Sequence, residues 1–138
     1  MPNSTTPVHW RVAPYFVVED VVTTANFYRD KLDFDYERFW GEPPCFTILR
    51  RQGAMIMLRQ LSTPGYMRHN QVPEKDKDED FTWDAYLWID DADALYAKCQ
   101  ANGVKIVRPI CDQEYNMREF DIEDCNGFRL CFGHDIST

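Results

Sequence analysis

In each half of the chain, a strand-forming run is followed by apolar residues at helical spacing. Residues 13–34 (APYFVVEDVVTTANFYRDKLDF) open with a strand-forming run, then an Asp, then apolar positions recurring every three or four residues. Residues 84–104 (DAYLWIDDADALYAKCQANGV) repeat this order. Asp20 and Asp91 occupy corresponding positions and are predicted N-caps of two helices. The chain is therefore expected to contain two related units.

Three further strands are expected after each helix, with Gly53 and Gly127 at corresponding turns. These strands cover Asp35 to Trp40, Cys45 to Arg51, Ala54 to Arg59, Lys105 to Pro109, Arg118 to Glu123 and Phe128 to Phe132. The pattern predicts an α+β fold of tandem βαβββ modules at residues 10–60 and 81–135. A linker at 61–80 joins them, and its charge run from Glu74 to Asp80 is interpreted as solvated surface.

Length and charge narrow the classes of function. A chain of 138 residues fits one domain, and 44% hydrophobic residues are typical of a folded protein. The net charge of −8 disfavours binding to nucleic acid or to an anionic membrane. The sequence has no apolar run long enough for a membrane span and no signal-peptide pattern at its start, so a cytoplasmic location is expected.

Cysteine and histidine give little support for a metal site. The five cysteines are odd in number and form no C-x-x-C pair, so reduced thiols are expected. The three histidines, His9, His69 and His134, show none of the spacings typical of zinc enzymes.

Three segments carry a resemblance to a known family: FYRDKLDF at 27–34, WIDDADALYAKCQANGVKIV at 88–107 and MREFDIEDCNGFRLCFG at 117–133. Over about residues 10–134 the chain resembles the vicinal oxygen chelate superfamily, which includes glyoxalase I, extradiol dioxygenases, and fosfomycin- and bleomycin-resistance proteins. It is most similar to the bleomycin-resistance-like members, although Cys125 stands where the family usually has Pro. The resemblance implies a curved, cup-like mixed sheet (the glyoxalase/bleomycin resistance fold) and a homodimer.

The resemblance also implies where metal-using members place their ligands. The corresponding positions here are Ala13, Met57, Asp84 and Cys131. Ala13 has no donor atom, and the thioether of Met57 is a soft ligand that suits few of the metals these enzymes use. Asp84 and Cys131 supply at most two strong ligands, so neither a metal nor another cofactor is expected.

Strand periodicity assigns candidate ligand-binding residues to the cup. They are Tyr15, Val17, Met55, Met57, Asp84, Tyr86, Trp88, Arg129 and Cys131, with Trp40 on a rim loop. Aromatic and Met side chains suit a partly aromatic organic ligand, but ordinary core or dimer packing explains them as well. Asp84 is interpreted either as a partner for a ligand cation or as a salt-bridge partner of Arg129, and Cys131 is interpreted as a buried hydrophobe rather than a reactive thiol.

The favoured hypothesis is a metal-independent protein that binds a small molecule, sequestering a cationic or aromatic drug or metabolite as in antibiotic resistance. An alternative is a glyoxalase-type lyase, isomerase or dioxygenase with a degenerate metal site, using Asp84 as base and Arg129 as electrostatic stabiliser. A third is an interaction module whose cup is filled by its own side chains. The favoured hypothesis assigns no catalytic residue.

Overall fold

A computed structural model of the protein describes residues 9–63 and 82–138. The first half contains β1 (Tyr15–Val18), α1 (Val21–Leu32), β2 (Phe46–Arg51) and β3 (Ala54–Gln60). The second half contains β4 (Ala85–Trp88), α2 (Ala92–Ala101), β5 (Lys105–Asp112), β6 (Met117–Glu123) and β7 (Arg129–Asp135). Most of the expected linker, including the charge run from Glu74 to Asp80, lies outside the described residues.

The strands form two mixed sheets with corresponding topology. Sheet A has the order β1-β3-β2 and sheet B the order β4-β7-β6-β5. The first strand of each half pairs in parallel with the last, so that Tyr15 lies opposite Met57 and Tyr86 opposite Cys131. This confirms the α+β class and the internal duplication, while the exact module boundaries at 10–60 and 81–135 stay a prediction.

Both helices begin where the sequence predicts. The side chain of Asp20 accepts a hydrogen bond from Thr23 N at 3.0 Å, and that of Asp91 accepts one from Ala94 N at 3.0 Å. These bonds satisfy main-chain donors that a helix start leaves without an intrahelical partner. The N-cap prediction is confirmed.

The predicted strand from Asp35 to Trp40 is wrong. Only its two ends pair with β2, as isolated bridges. Between them, the Tyr36 hydroxyl donates to Asn26 of α1 at 2.6 Å, and the Thr47 hydroxyl donates to the Arg38 carbonyl at 2.7 Å. Because side-chain hydrogen bonds hold the segment against α1 and β2, its main chain does not continue the strand pairing of sheet A. In the described residues, sheet A therefore has three strands rather than four.

A continuous hydrophobic core joins the two halves on the helix side of the sheets. Phe16 of β1 stacks on Phe128, which precedes β7, with ring centroids 4.2 Å apart. The Tyr28 hydroxyl of α1 donates to Asp124 in the β6–β7 turn at 2.6 Å. On this side of the two closing strands, Ile56 and Leu58 of β3 and Leu130 and Phe132 of β7 are buried. Neither helix in the described part of the chain is long and apolar enough to span a membrane.

Candidate functional site

Strand periodicity places carboxylates and aromatic rings together on the face of sheet B that points away from the core. Along β6, Phe120 and Ile122 are fully buried in the core, so Glu119 and Asp121 project to the other face. In β4, Leu87 packs in the core and its neighbours Tyr86 and Trp88 point the opposite way. These two strands build a site with both apolar and ionic groups.

An aromatic pocket of about 600 Å³ lies on this face. It is lined by Trp83, Tyr86, Trp88, Tyr115 and Met117. The ring of Tyr86 lies between two others, with centroids 5.1 Å from Trp83 and 4.8 Å from Trp88 at angles near 60°. Trp88 is 76% exposed and Tyr115 48% exposed, so the pocket presents ring surface to solvent rather than filling itself.

A buried ionic cluster of Arg108, Glu119 and Asp121, here called the floor, does not line the pocket itself but is bonded through Glu119 to the hydroxyls of Tyr86 and Tyr115. Arg108 lies opposite Asp121 in the β5–β6 pairing, and its Nε and Nη2 donate to the two Asp121 oxygens at 2.8 and 2.9 Å. Nη2 also donates to Glu119 Oε1 at 2.8 Å. Such a bidentate pair fixes the geometry of the buried charges.

The two tyrosines of the pocket are anchored to the same carboxylate. The Tyr86 hydroxyl donates to Glu119 Oε2 at 2.6 Å, and the Tyr115 hydroxyl donates to Oε1. Burial acts to raise the pKa of Glu119, but hydrogen bonds from Tyr115, Tyr86 and Arg108 outweigh it and hold that pKa below its usual value. Burial and the adjacent Glu119 carboxylate raise the pKa of both phenols. Glu119 is therefore ionised and the tyrosines are neutral donors at neutral pH.

Gly133 provides the space in which the Tyr86 hydroxyl lies. It pairs with Glu119 across β6 and β7. A Cβ atom at this position would lie only 2.2 Å from Tyr86 Oη and 3.2 Å from Glu119 Cβ. The glycine of the FG pair that closes the resemblance motif is thus required by close packing.

Cys131 lies beside the ionic cluster and is fully buried. It pairs with Tyr86 on one side and Asp121 on the other, and Arg108 Nη2 donates to its sulfur at 3.6 Å. Burial, and then the negative charge of Asp121, raise the pKa of the thiol well above its usual value. Cys131 is a protonated thiol, unlike the activated thiolates of catalytic cysteines.

The four positions that the resemblance assigns to metal ligands do not fit a metal. Ala13 has no donor, the Cys131 thiol is protonated and buried, and Asp84 Oδ2 accepts a hydrogen bond from the Arg129 main-chain N–H at 2.8 Å. Within residues 9–63 and 82–138, no group of three or more His, Cys, Asp or Glu side chains is arranged to hold a metal ion.

A second, larger groove of about 1020 Å³ runs between the β2–β3 turn and β4. It brings together the predicted residues Met55 and Asp84, and it shares Tyr86 and Trp88 with the aromatic pocket. Its other lining residues include core side chains such as Leu87 and charged residues such as Arg51 and Asp90. The smaller pocket is the better candidate because two of its rings, Tyr86 and Tyr115, are anchored to the buried ionic cluster.

The remaining predicted residues line neither cavity. Tyr15, Val17, Trp40 and Met57 belong to sheet A or its edge, where Tyr15 and Trp40 pack around Phe46 with centroid distances of 6.4 and 5.6 Å. The Arg129 guanidinium points to Thr82, to which Nη1 donates at 3.1 Å.

Sequence reasoning missed three of the five residues that line the aromatic pocket and the whole ionic cluster. The omitted residues are Trp83, Arg108, Tyr115, Met117, Glu119 and Asp121. A signal for two of them was present, since EFDIE at 119–123 alternates acidic and apolar residues with a strand period.

Comparison with known proteins agrees with this architecture. The family model of the Glyoxalase/Bleomycin resistance protein/Dioxygenase superfamily matches residues 11–132. The chain belongs to this superfamily. The resemblance seen in its sequence motifs is therefore confirmed. No curated protein matches by sequence.

Solved structures of superfamily type share the fold at low sequence identity. TioX from Micromonospora sp. ML1 is 17% identical with a TM-score of 0.73, covering 92% of this chain and 99% of TioX. A glyoxalase-related enzyme from Clostridium phytofermentans is 16% identical with a TM-score of 0.70, and the match covers 96% of this chain and 100% of that enzyme. TnmS3, an antibiotic binding protein from Streptomyces sp. CB03234, is 17% identical with a TM-score of 0.64, covering 94% and 99%. At these identities the likeness demonstrates the fold alone.

Proposed function

We propose that the protein binds a partly aromatic small molecule in the aromatic pocket of sheet B, without using a metal. The observation that carries this proposal is a set of four pocket rings, of which Trp88 and Tyr115 are exposed, two of them bonded to a buried ionic cluster; the four are Trp83, Tyr86, Trp88 and Tyr115. Stacked or edge-on contact with such rings contributes about 0.5–1.5 kcal/mol per pair beyond area burial. Residues that only filled a core would not leave Trp88 exposed.

The ionic cluster prepares the pocket for binding. Glu119 accepts from both Tyr86 and Tyr115, so these rings are held in place before a ligand arrives. Each side chain that must be ordered on binding costs roughly 0.5–1.5 kcal/mol, and prior anchoring avoids that cost. The cluster thus supports binding rather than chemistry.

A second copy of the chain is proposed to close the pocket. The outer face of sheet A carries half-exposed apolar residues, including Tyr15 and Trp40, and the Arg38 guanidinium lies 4.7 Å from the Trp40 ring centroid. Arg50 and Arg59 are exposed on β2 and β3. This basic, aromatic face complements the acidic face of sheet B in charge, which supports a homodimer. The cytoplasmic location expected from the sequence belongs to the same proposal.

TnmS3 supports the class of function without identifying the ligand. That protein binds an antibiotic according to its description and has the same fold at a TM-score of 0.64. The enzymatic alternative has weaker support. Its proposed base, Asp84, accepts a main-chain hydrogen bond from Arg129 and lies in the larger groove, outside the aromatic pocket.

The proposal is tested with protein that has been treated with a chelator and shown by plasma mass spectrometry to lack transition metals. A panel of aromatic drugs and metabolites is titrated while tryptophan fluorescence is recorded. We expect at least one compound to bind, and Trp88→Leu to weaken it about tenfold, equivalent to roughly 1.4 kcal/mol. Trp10→Leu is the matched control because Trp10 is 99% exposed and lies outside the pocket.

Two results would contradict the proposal. One is binding or turnover that appears only after nickel, zinc, manganese or iron is restored. The other is equal loss of affinity in Trp88→Leu and Trp10→Leu. For the dimer, a monomer in sedimentation at micromolar concentration would exclude closure of the pocket by a second copy.

A further inference from the structure

We infer that the aromatic pocket prefers an organic ammonium group to a neutral group of the same shape. This inference rests on the proposed binding function and narrows it to one class of ligand. It is carried by the ring faces of the pocket, by the charge of its floor and by the direction of its tyrosine hydroxyls.

The ring faces are suited to a cation. Tyr86 and Trp88 meet at 58° with centroids 4.8 Å apart, and Trp83 meets Tyr86 at 60° from the other side. Tilted rings of this kind form a concave surface of π faces, each of which carries negative electrostatic potential. None of the five lining residues carries a positive charge.

The floor of the pocket carries a net negative charge. One guanidinium, Arg108, is bonded to two carboxylates, Glu119 and Asp121, and all three residues are less than 9% exposed. Their formal charges sum to one negative charge. In a partly desolvated site this charge acts on a ligand more strongly than it would in water.

The tyrosine hydroxyls add to this preference. Both Tyr86 and Tyr115 donate their protons downward to Glu119, so their oxygens offer only lone pairs to a ligand. A hydrogen bond to a carboxylate also polarises the phenol toward its anionic form, which strengthens the negative face of the ring.

Arg108 already lies near one ring of the pocket. Its guanidinium carbon is 5.9 Å from the Trp83 centroid. Because Arg108 is buried and bonded to both carboxylates, its charge is compensated within the floor. The contacts that select a cation are therefore assigned chiefly to Tyr86, Trp88 and Tyr115.

The test compares two compounds of the same shape in the full-length, chelator-treated protein. The cation is 4-(trimethylammonio)phenol and the neutral isostere is 4-tert-butylphenol, both measured by calorimetry at pH 6, where both hydroxyls are protonated. We expect the cation to bind roughly fivefold or more tightly, since cation–π contacts are worth about 0.5–2 kcal/mol. Trp88→Leu should reduce this ratio, Trp88→Phe should retain most of it, and Trp10→Leu should leave it unchanged.

Different results would contradict the ammonium preference alone and the proposed binding function as a whole. Equal or tighter binding of 4-tert-butylphenol would overturn the ammonium preference and leave the aromatic binding site intact. A preference that is unchanged in Trp88→Leu would also overturn it, because attraction by the overall charge of −8 would then explain the ratio. Absence of binding by every aromatic compound tested, charged or neutral, would overturn both.

Discussion

Gly133→Ala should disturb the floor from a buried position. The added methyl group would lie 2.2 Å from Tyr86 Oη, far inside van der Waals contact. Tyr86 would have to move, and its hydrogen bond to the buried Glu119 carboxylate would break. The substitution therefore tests whether the glycine, the tyrosine and the carboxylate form one packed unit.

Two costs and one gain set the change in stability caused by Gly133→Ala. Loss of a hydrogen bond to a charged acceptor costs about 1.5–3 kcal/mol. Overpacking costs a further ~1–3 kcal/mol if Tyr86 cannot leave its site completely. Replacing a strand glycine by alanine returns roughly 0.5–1 kcal/mol by lowering the entropy of the unfolded chain. The losses outweigh the gain, so we expect a net destabilisation of about 2–4 kcal/mol.

The loss in free energy of unfolding is measured by urea unfolding, monitored by circular dichroism, in a double-mutant cycle with Tyr86→Phe. Once the hydroxyl is removed, the nearest ring atom, Cζ, lies 3.0 Å from the new methyl group, so most of the clash is relieved. We expect Gly133→Ala to cost about 1–2 kcal/mol less in the Tyr86→Phe background. Additive costs, or stabilisation by Gly133→Ala alone, would refute this account of the site.

Three further predictions concern other buried groups. Tyr28→Phe should lower the free energy of unfolding by about 1.5–3 kcal/mol, because the buried Asp124 carboxylate loses a hydrogen bond that joins the two halves; chemical denaturation measures it. Hydrogen bonds from Tyr115, Tyr86 and Arg108 hold the pKa of Glu119 below its usual value, so its charged form contributes stability at neutral pH that is lost as the pH falls through the lowered pKa. The destabilisation caused by Glu119→Gln should therefore be largest at neutral pH and shrink in acid unfolding curves. Exposed Cys111 should react with iodoacetamide in the native protein while buried Cys131 reacts only after unfolding, as peptide mass spectrometry will reveal; equal rates would contradict its burial.

The fold was predictable because the duplicated pattern is local and strong. Asp20 and Asp91 identify the helix starts because their side chains cap the first turn, and the apolar runs of β3 and β7 identify strands that pack against the core. The segment from Asp35 to Trp40 was mispredicted because its strand-forming residues are held instead by side-chain bonds to α1 and β2. Those hydrogen bonds join residues that are apart in the sequence, so the local hydrophobic pattern does not predict them.

The site was only half predictable for a related reason. Tyr86 and Trp88 follow from the period of β4, but Arg108 reaches Asp121 only through the pairing of β5 with β6. That register shifts on both sides of Arg108, so residue spacing does not predict the contact. Tyr115 lies in the turn before β6, where strand periodicity gives no direction to its side chain.

The proposed function requires that an organic ligand bind among the rings of sheet B without a metal. The most direct measurement is the ¹H–¹⁵N spectrum of the four tryptophan indoles, at positions 10, 40, 83 and 88, during ligand titration with EDTA present. We predict that the Trp83 and Trp88 signals shift with saturation while the Trp10 signal stays in place. A ligand that shifts neither Trp83 nor Trp88, or shifts them only after metal is added, would contradict the account.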